Sequence, residues 1–180
     1  MMKFIVDILF ACIALILLIP ILLIIAILLL IIERKAVLFI QPRIGKNKQE
    51  FQIYKFRTIW NNKITPLGRI LRKTGIDELP QLFNIVKGDM SFVGPRPLTQ
   101  ADIERLGWNT EFYEKRWQLR PGIVGLAQLS PICHKKMSWF YDQLYLKKQS
   151  LFLDFKIVLA ATVIPFVGKK TLKSWIHGKQ

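Results

Sequence analysis

The stretch TGIDELPQLFNIVKGDMSFVGPRP, residues 74–97, decides how this chain is read. Pro80 marks a helix start, and Leu79, Leu82, Phe83 and Val86 recur at helical spacing until Gly88 ends the run. Two adjacent carboxylates, Asp77 and Glu78, therefore fall at or beside a helix N-terminus. One reading is structural: Asp77 caps the helix and Glu78 is a favourable first-turn acid. The other is chemical, because two neighbouring acids can hold Mg²⁺, a cation that shares its shell with substrate phosphates. Downstream, GPRP holds Arg96 between two prolines, which restrict the backbone on both sides and lower the entropy lost on binding an anion.

Short elements flank this stretch. AVLFIQPRIGKNKQEFQIYKFRTI predicts two strands around a Gly-Lys-Asn turn, with Phe51, Ile53 and Lys55 alternating against Gln52 and Tyr54. Thr65 before Pro66 predicts a capped basic helix running through Arg69, Arg72 and Lys73 to Gly75. PLTQADIERLG has Thr99 as cap and Gly107 as stop, and NTEFYEKRWQ reads as another short helix ended by RPG. GIVGLAQLS suits a strand or a buried loop. The tail from Ser138 to Ile164 contains two segments, broken afterwards by Pro165. Its aromatics and Lys147, Lys148 and Lys156 suit interfacial amphipathic helices; a core helix with a solvated basic face has the same periodicity.

At the other end, residues 8–32 carry no charge. At ~1.5 Å per residue this run is long enough for a hydrocarbon core of ~30 Å. It is too long for a cleaved signal peptide, and no small-residue cleavage site precedes its basic flank. Pro20, near its middle, leaves two geometries: one span, or a re-entrant helix with both ends on one face. Arg34, Lys35, Arg43, Lys46 and Lys48 follow closely and favour a cytoplasmic body.

Composition sets the wider bounds. The 180 residues suit one globular unit, and 52% hydrophobic residues argue against disorder. The net charge of +15 points to a polyanionic surface or ligand. Cys12 and Cys133, the latter beside His134, form neither a disulfide framework nor a zinc spacing, and a reducing setting fits them. Trp60, Trp108, Trp117 and Trp139 invite a nucleic-acid reading, but they are not interleaved with cations in a recognised module, and no nucleic-acid partner is expected.

The charges also suggest chemistry. Lys55, Arg57, Arg69, Arg72 and Arg96 could clamp a diphosphate, Arg through bidentate geometry. With the acid pair they describe a phosphoryl-transfer site, in which an ionised aspartate can attack phosphorus. The competing reading is a non-catalytic, membrane-anchored scaffold that recruits partners through its basic face.

KFRT at 55–58, the block at 68–97, RPGIVGLAQ at 120–128 and YDQLYLKKQSLFLDFKI at 141–157 together resemble the bacterial sugar transferase family, small monotopic phosphoglycosyl transferases. With the apolar segment the likeness covers nearly the whole chain. The resemblance implies an α+β chain: a re-entrant membrane helix at 1–35, then a mainly helical catalytic domain at 36–180 with a small β-hairpin and interfacial helices. It implies transfer of a sugar 1-phosphate from a UDP-sugar to polyprenyl (undecaprenyl) phosphate with release of UMP. Asp77 matches the nucleophile that forms a covalent phosphosugar intermediate, and Glu78 the partner associated with Mg²⁺ and acid–base work. Lys55, Arg57 and Arg96 fall on motif positions suited to phosphate. Asp142 matches a position for site organisation or sugar contact; Arg72 is added to the site on its charge alone. The implied setting is the cytoplasmic face of the bacterial inner membrane, with membrane lipid, downstream glycosyltransferases and a second copy of the chain as candidate partners. Two departures stand out. Ile19 precedes Pro20 where many members have serine, and LSPICHKKMSW replaces an Asn-Gly-Arg-like run.

Overall fold

The structure, a computed structural model, describes residues 2–34, 36–130 and 135–167. Lys35, Cys133 and His134 lie outside the described residues. The chain divides into two compact units, Met1–Pro42 with Gln52–Gly88, and Arg43–Phe51 with Asp89–Gln180.

The first unit opens with α1, Met2–Leu28, whose last turns continue as a π-helix over Leu29–Glu33. This 32-residue apolar stretch is long enough to cross a membrane, and Pro20 sits inside it. Most of its surface is open, Ile16 and Leu17 being 70% exposed. Arg34, in the left-handed region at φ 50°, ends the run.

Two strands, β1 (Leu38–Ile44) and β2 (Glu50–Phe56), pair as expected around a 3-10 turn at Lys46–Lys48. Alternation puts Phe51 and Ile53 inside; it lapses at half-buried Tyr54 and Lys55, and Phe56 is buried as well. A second, smaller hairpin of β3 (Ile59–Trp60) and β4 (Lys63–Ile64) leads into α2, Pro66–Thr74. The predicted cap is formed: the Gly68 N–H donates to Thr65 Oγ1 at 3.0 Å, and Gly75 ends the helix at φ 75°.

The expected helix at Pro80 starts later. Ile76–Gln81 is a 3-10 segment, and α3 begins at Leu82 and runs to Lys87, with Gly88 at φ 84° as its stop. Proline biases the residue before it away from the α region, so Leu79 is ill-suited to an α-helical turn. Fully buried Asn84 ties α3 to β2. Its Nδ2 donates to the Gln52 carbonyl at 2.6 Å, and its Oδ1 accepts from the Tyr54 N–H at 3.1 Å. The side chain thus completes the strand's backbone bonding where another strand would otherwise be needed.

In the second unit, the motifs around GPRP and RPG are packed together. Strands β5 (Ser91–Val93) and β6 (Gly122–Val124) are parallel, with Ser91 opposite Gly122 and Val93 opposite Val124. A Cβ on Gly94 would lie 2.3 Å from the Arg120 carbonyl oxygen, and one on Gly122 2.1 Å from the Gly94 nitrogen. The glycines permit this backbone contact. Between the strands lie α4 (Gln100–Leu106) and a 3-10 segment at Glu111–Gln118, the latter where the sequence suggested an ordinary helix. Thr99 and Asp102 form a reciprocal capping box on α4. GIVGLAQLS resolves into β6 and the one-turn helix α5, Leu126–Leu129.

The tail forms α6 (Lys135–Lys148) and α7 (Leu151–Val167); the α7 backbone runs two residues past Pro165 instead of breaking there. Tyr141, Tyr145 and Ile157 bury against Val93, Leu126 and Leu129. Tyr145 Oη lies 2.6 Å from Asp154 Oδ1 and 3.1 Å from the Val93 carbonyl oxygen, fixing both helices to β5. The outward side of α7 is also apolar: Phe152, Phe155, Leu159 and Val163 are exposed at spacings of three and four residues.

Candidate active site

Four of the residues singled out from the sequence interact in the first unit. Asp77 and Glu78 occupy the first turn of the 3-10 segment, which is entered from Gly75, and no side chain caps that turn. Asp77 is therefore not the N-cap of the structural reading. From β2, Lys55 Nζ donates to Glu78 Oε1 at 2.5 Å. Arg72, on α2, lies 3.5 Å from Thr58 Oγ1 and acts electrostatically on Asp77.

Burial and, after it, the neighbouring Glu78 charge push the Asp77 carboxyl above the usual range, against the pull of Lys55 and Arg72. A partly buried carboxylate beside a second acid is poorly compensated. That is the condition in which it gains most from a cationic ligand or from transferring charge to a covalent bond.

Arg57 is held differently. Its N–H bonds the Val37 carbonyl at 2.8 Å, its guanidinium donates to the Leu38 carbonyl at 3.1 Å, and the Phe39 and Trp60 rings flank it at 5.9 and 5.7 Å.

An apolar cavity of about 680 Å³ lies beside the acid-bearing segment. Its walls include Ile19, Leu22 and Leu23 from α1, Phe56 from β2, and Pro80 and Phe83.

In the second unit, Arg96 and Asp142 share a partner that the sequence reading missed. Arg116 Nε donates to Asp142 Oδ2 at 2.9 Å, and another guanidinium nitrogen donates to the Arg96 carbonyl at 2.6 Å. Trp108 and Trp117 face the same guanidinium at 5.2 and 5.0 Å. Arg116 and Asp142 are 4% and 6% exposed, whereas the Arg96 side chain is exposed. Burial raises the Asp142 pKa, while the charge and hydrogen bond of Arg116 oppose the shift. This cluster orders the GPRP turn and leaves the Arg96 guanidinium outward. The signal for Arg116 was its place directly before Trp117, in RWQLRPG, but one-dimensional spacing could not show that it faces Asp142.

The bacterial sugar transferase profile matches residues 1–168. A UDP-N-acetylgalactosamine-undecaprenyl-phosphate N-acetylgalactosaminephosphotransferase of Aeromonas hydrophila is 37% identical, over 84% of this chain and 40% of its own. A UDP-glucose:undecaprenyl-phosphate glucose-1-phosphate transferase of Klebsiella pneumoniae is 33% identical, over 91% and 40%. The exopolysaccharide production protein ExoY of Sinorhizobium fredii is 33% identical, over 84% and 80%. The chain thus spans about two fifths of the length of the first two of these relatives and most of the third. With a match across nearly its whole length, the chain belongs to the bacterial sugar transferase family.

Proposed function

We propose that this protein transfers a sugar 1-phosphate from a UDP-sugar to undecaprenyl phosphate in two steps, with Asp77 as nucleophile. The observation that carries the reading is the 3-10 turn itself: a partly buried carboxylate with a raised pKa, beside a glutamate paired to Lys55. The names of the relatives support the donor and acceptor classes. In the first step an Asp77 oxygen attacks the phosphorus bearing the sugar, the bond to the UMP oxygen breaks, and UMP leaves. In the second, a phosphate oxygen of the lipid attacks the acyl phosphate and frees the Asp77 carboxylate, giving a lipid diphosphate sugar. Lys55 and Arg57 serve the phosphates, and Arg72 balances charge beside Asp77.

The donor set fits Mg²⁺. The adjacent Asp77 and Glu78 carboxylates, hard oxygen donors in one 3-10 turn, would hold the ion and leave positions for water and phosphate. When bound, Mg²⁺ supplies charge neutralisation on the diphosphate. Lys55 holds Glu78 in place, and Glu78 in turn keeps negative charge beside the nucleophile.

The membrane geometry that suits this reaction is re-entrant, with both ends of α1 on the cytoplasmic face of the inner membrane. Phe4 stands over Gly88, at the end of α3, while Ile19, Leu22 and Leu23 line the cavity with Phe83, Val86 and Lys87. Pro20 lies inside α1, where it removes a backbone hydrogen bond and favours a bend. The apolar cavity suits the lipid's hydrocarbon, and the apolar outer side of α7 suits a bilayer surface.

The test is UMP release from a panel of UDP-sugars by nanodisc-embedded protein with undecaprenyl phosphate and Mg²⁺, alongside Asp77→Asn. Release from one donor, lost in the variant, is the expected result. Equal release from the variant overturns the assignment of Asp77, and silence across the panel from folded protein favours a scaffold.

A further inference from the structure

The β3–β4 hairpin holds aliphatic side chains out in the open. Ile59 and Ile64 are directly opposed and 43% and 46% exposed, so they share one face; Trp60 and Lys63 are the other opposed pair. Asn61 and Asn62 close the hairpin at φ 46° and 59°, the left-handed pair that a type I′ turn requires. Two-residue strands are too short to hold themselves in water. Their support comes from around them. The Thr65 N–H bonds the Thr58 carbonyl, Gly68 of α2 lies so close that a Cβ would sit 2.5 Å from that oxygen, and Arg57 is bracketed by Phe39 and Trp60. The exposed isoleucines are therefore fixed in position.

Their position is informative. Through Arg57 the hairpin's base is bonded to the carbonyls of Val37 and Leu38, four and five residues after the apolar run ends at Glu33. Both residues also line the apolar cavity against α1. On β1, Leu38 and Ile40 are exposed on one face, and on α2 Ile70 is 61% exposed. Residues 57–76 contain five cations, Arg57, Lys63, Arg69, Arg72 and Lys73, and no acid.

The geometry points to an anionic bilayer surface as the occupant of this face: the β3–β4 hairpin docks in the headgroup layer beside the exit of α1. Ile59 and Ile64 enter the acyl boundary, and Trp60 sits at headgroup depth with Lys63, Arg69 and Lys73 near lipid phosphates. The docked hairpin fixes the depth of β2 and α2, and so of Lys55 and Arg72. The inference rests on the reading of α1 as a membrane helix.

The experiment uses the full chain with Cys12 and Cys133 changed to serine. An environment-sensitive fluorophore is attached at Ile64→Cys or, separately, at Leu17→Cys, in phosphatidylcholine–phosphatidylglycerol vesicles carrying a doxyl quencher near the headgroup for position 64 and deep in the acyl chain for position 17. Quenching of at least about twofold at position 64 is expected, together with a fall of about tenfold or more in the docked-to-undocked ratio for Lys63→Glu/Lys73→Glu. Quenching at 17 with water-like emission at 64 overturns the docking while leaving the membrane helix intact. Loss of quenching at both positions overturns the reading of α1, and the docking with it. A label at 64 that is shielded from water, unquenched by lipid and sensitive to protein dilution assigns the face to a second copy and also overturns the proposal. An unchanged ratio in the charge-reversal variant removes the anionic-lipid component.

Discussion

Each unit of the molecule holds one acid–base pair of interest, and the two are built in opposite ways. Arg116 and Asp142 are buried, joined by a hydrogen bond, and enclosed by Trp108 and Trp117. Lys55 and Glu78 keep 19% and 29% of their side-chain surfaces open, next to an aspartate held above its ordinary pKa. The first pair has little left to give a ligand, and its worth is in shaping the backbone that carries Arg96. The second leaves charge poorly satisfied, the usual mark of a site that does chemistry. Proximity of opposite charges is therefore a weak guide to function, and the degree of compensation a better one.

The contrast is broken most strongly by removing Asp77. Asp77→Asn should lower turnover by about 10³-fold or more, ~4 kcal/mol of barrier, in a UMP-release assay. Stability should move the other way. A carboxyl whose pKa is raised by folding binds more protons in the native than in the unfolded state, so it costs stability above its unfolded pKa near ~3.9. Asp77→Asn should accordingly match or exceed the parent in thermal stability at neutral pH. Its advantage should vanish as the pH falls below both pKa values. A variant less stable at pH 7 would show that Asp77 is structural after all.

Arg116→Met should do the reverse, removing about 3–5 kcal/mol of stability because Asp142 is left buried without its cation. Chemical denaturation in detergent measures it. A loss under about 1 kcal/mol would mean that water reaches Asp142 and that the pair is not the brace described. Asn84→Ala comes next: it leaves the half-exposed Gln52 carbonyl and Tyr54 N–H without their partner, at roughly 1 kcal/mol for each hydrogen bond lost. Because β2 carries Lys55, the same variant should also reduce turnover, and unchanged turnover would uncouple α3 from the site. Smallest is Thr65→Ala, at about 1 kcal/mol for a lost cap, with turnover nearly unaffected.

Activity should carry the pKa shift as well. An attacking Asp77 must be ionised, so kcat/KM should rise with pH through a value above the ordinary aspartate range. Lys55→Met removes a cation that lowers that pKa and should move the acid limb upward. A limb that stays in place would place the titrating group elsewhere.

Local chemistry made much of this legible in the sequence. Caps at Thr65 and Thr99, stops at Gly75, Gly88 and Gly107, and the alternation of Phe51 and Ile53 are decided within a few residues, and each is found as read. The misreadings lie where proline and long-range contacts intervene. Pro80 read as a helix start but falls within a 3-10 turn, and Pro165 read as a break but lies inside α7. Nothing in the local spacing marks Asn84, and only the fold brings it to β2. Arg116 was passed over because its partners, Arg96 and Asp142, are 20 and 26 residues away. The acid pair itself was conspicuous from the start. What sequence could not supply was its environment, the burial of Asp77 and the Lys55 contact with Glu78 that set the pair apart from a helix cap.

The most direct measurement is mass spectrometry of the protein after incubation with its UDP-sugar and Mg²⁺ in the absence of undecaprenyl phosphate. The account predicts one added sugar phosphate, located by fragmentation on Asp77, formed with an equivalent of UMP and discharged when the lipid phosphate is supplied. UMP release that requires the lipid, with the protein mass unchanged throughout, would contradict it and establish direct transfer between the two substrates.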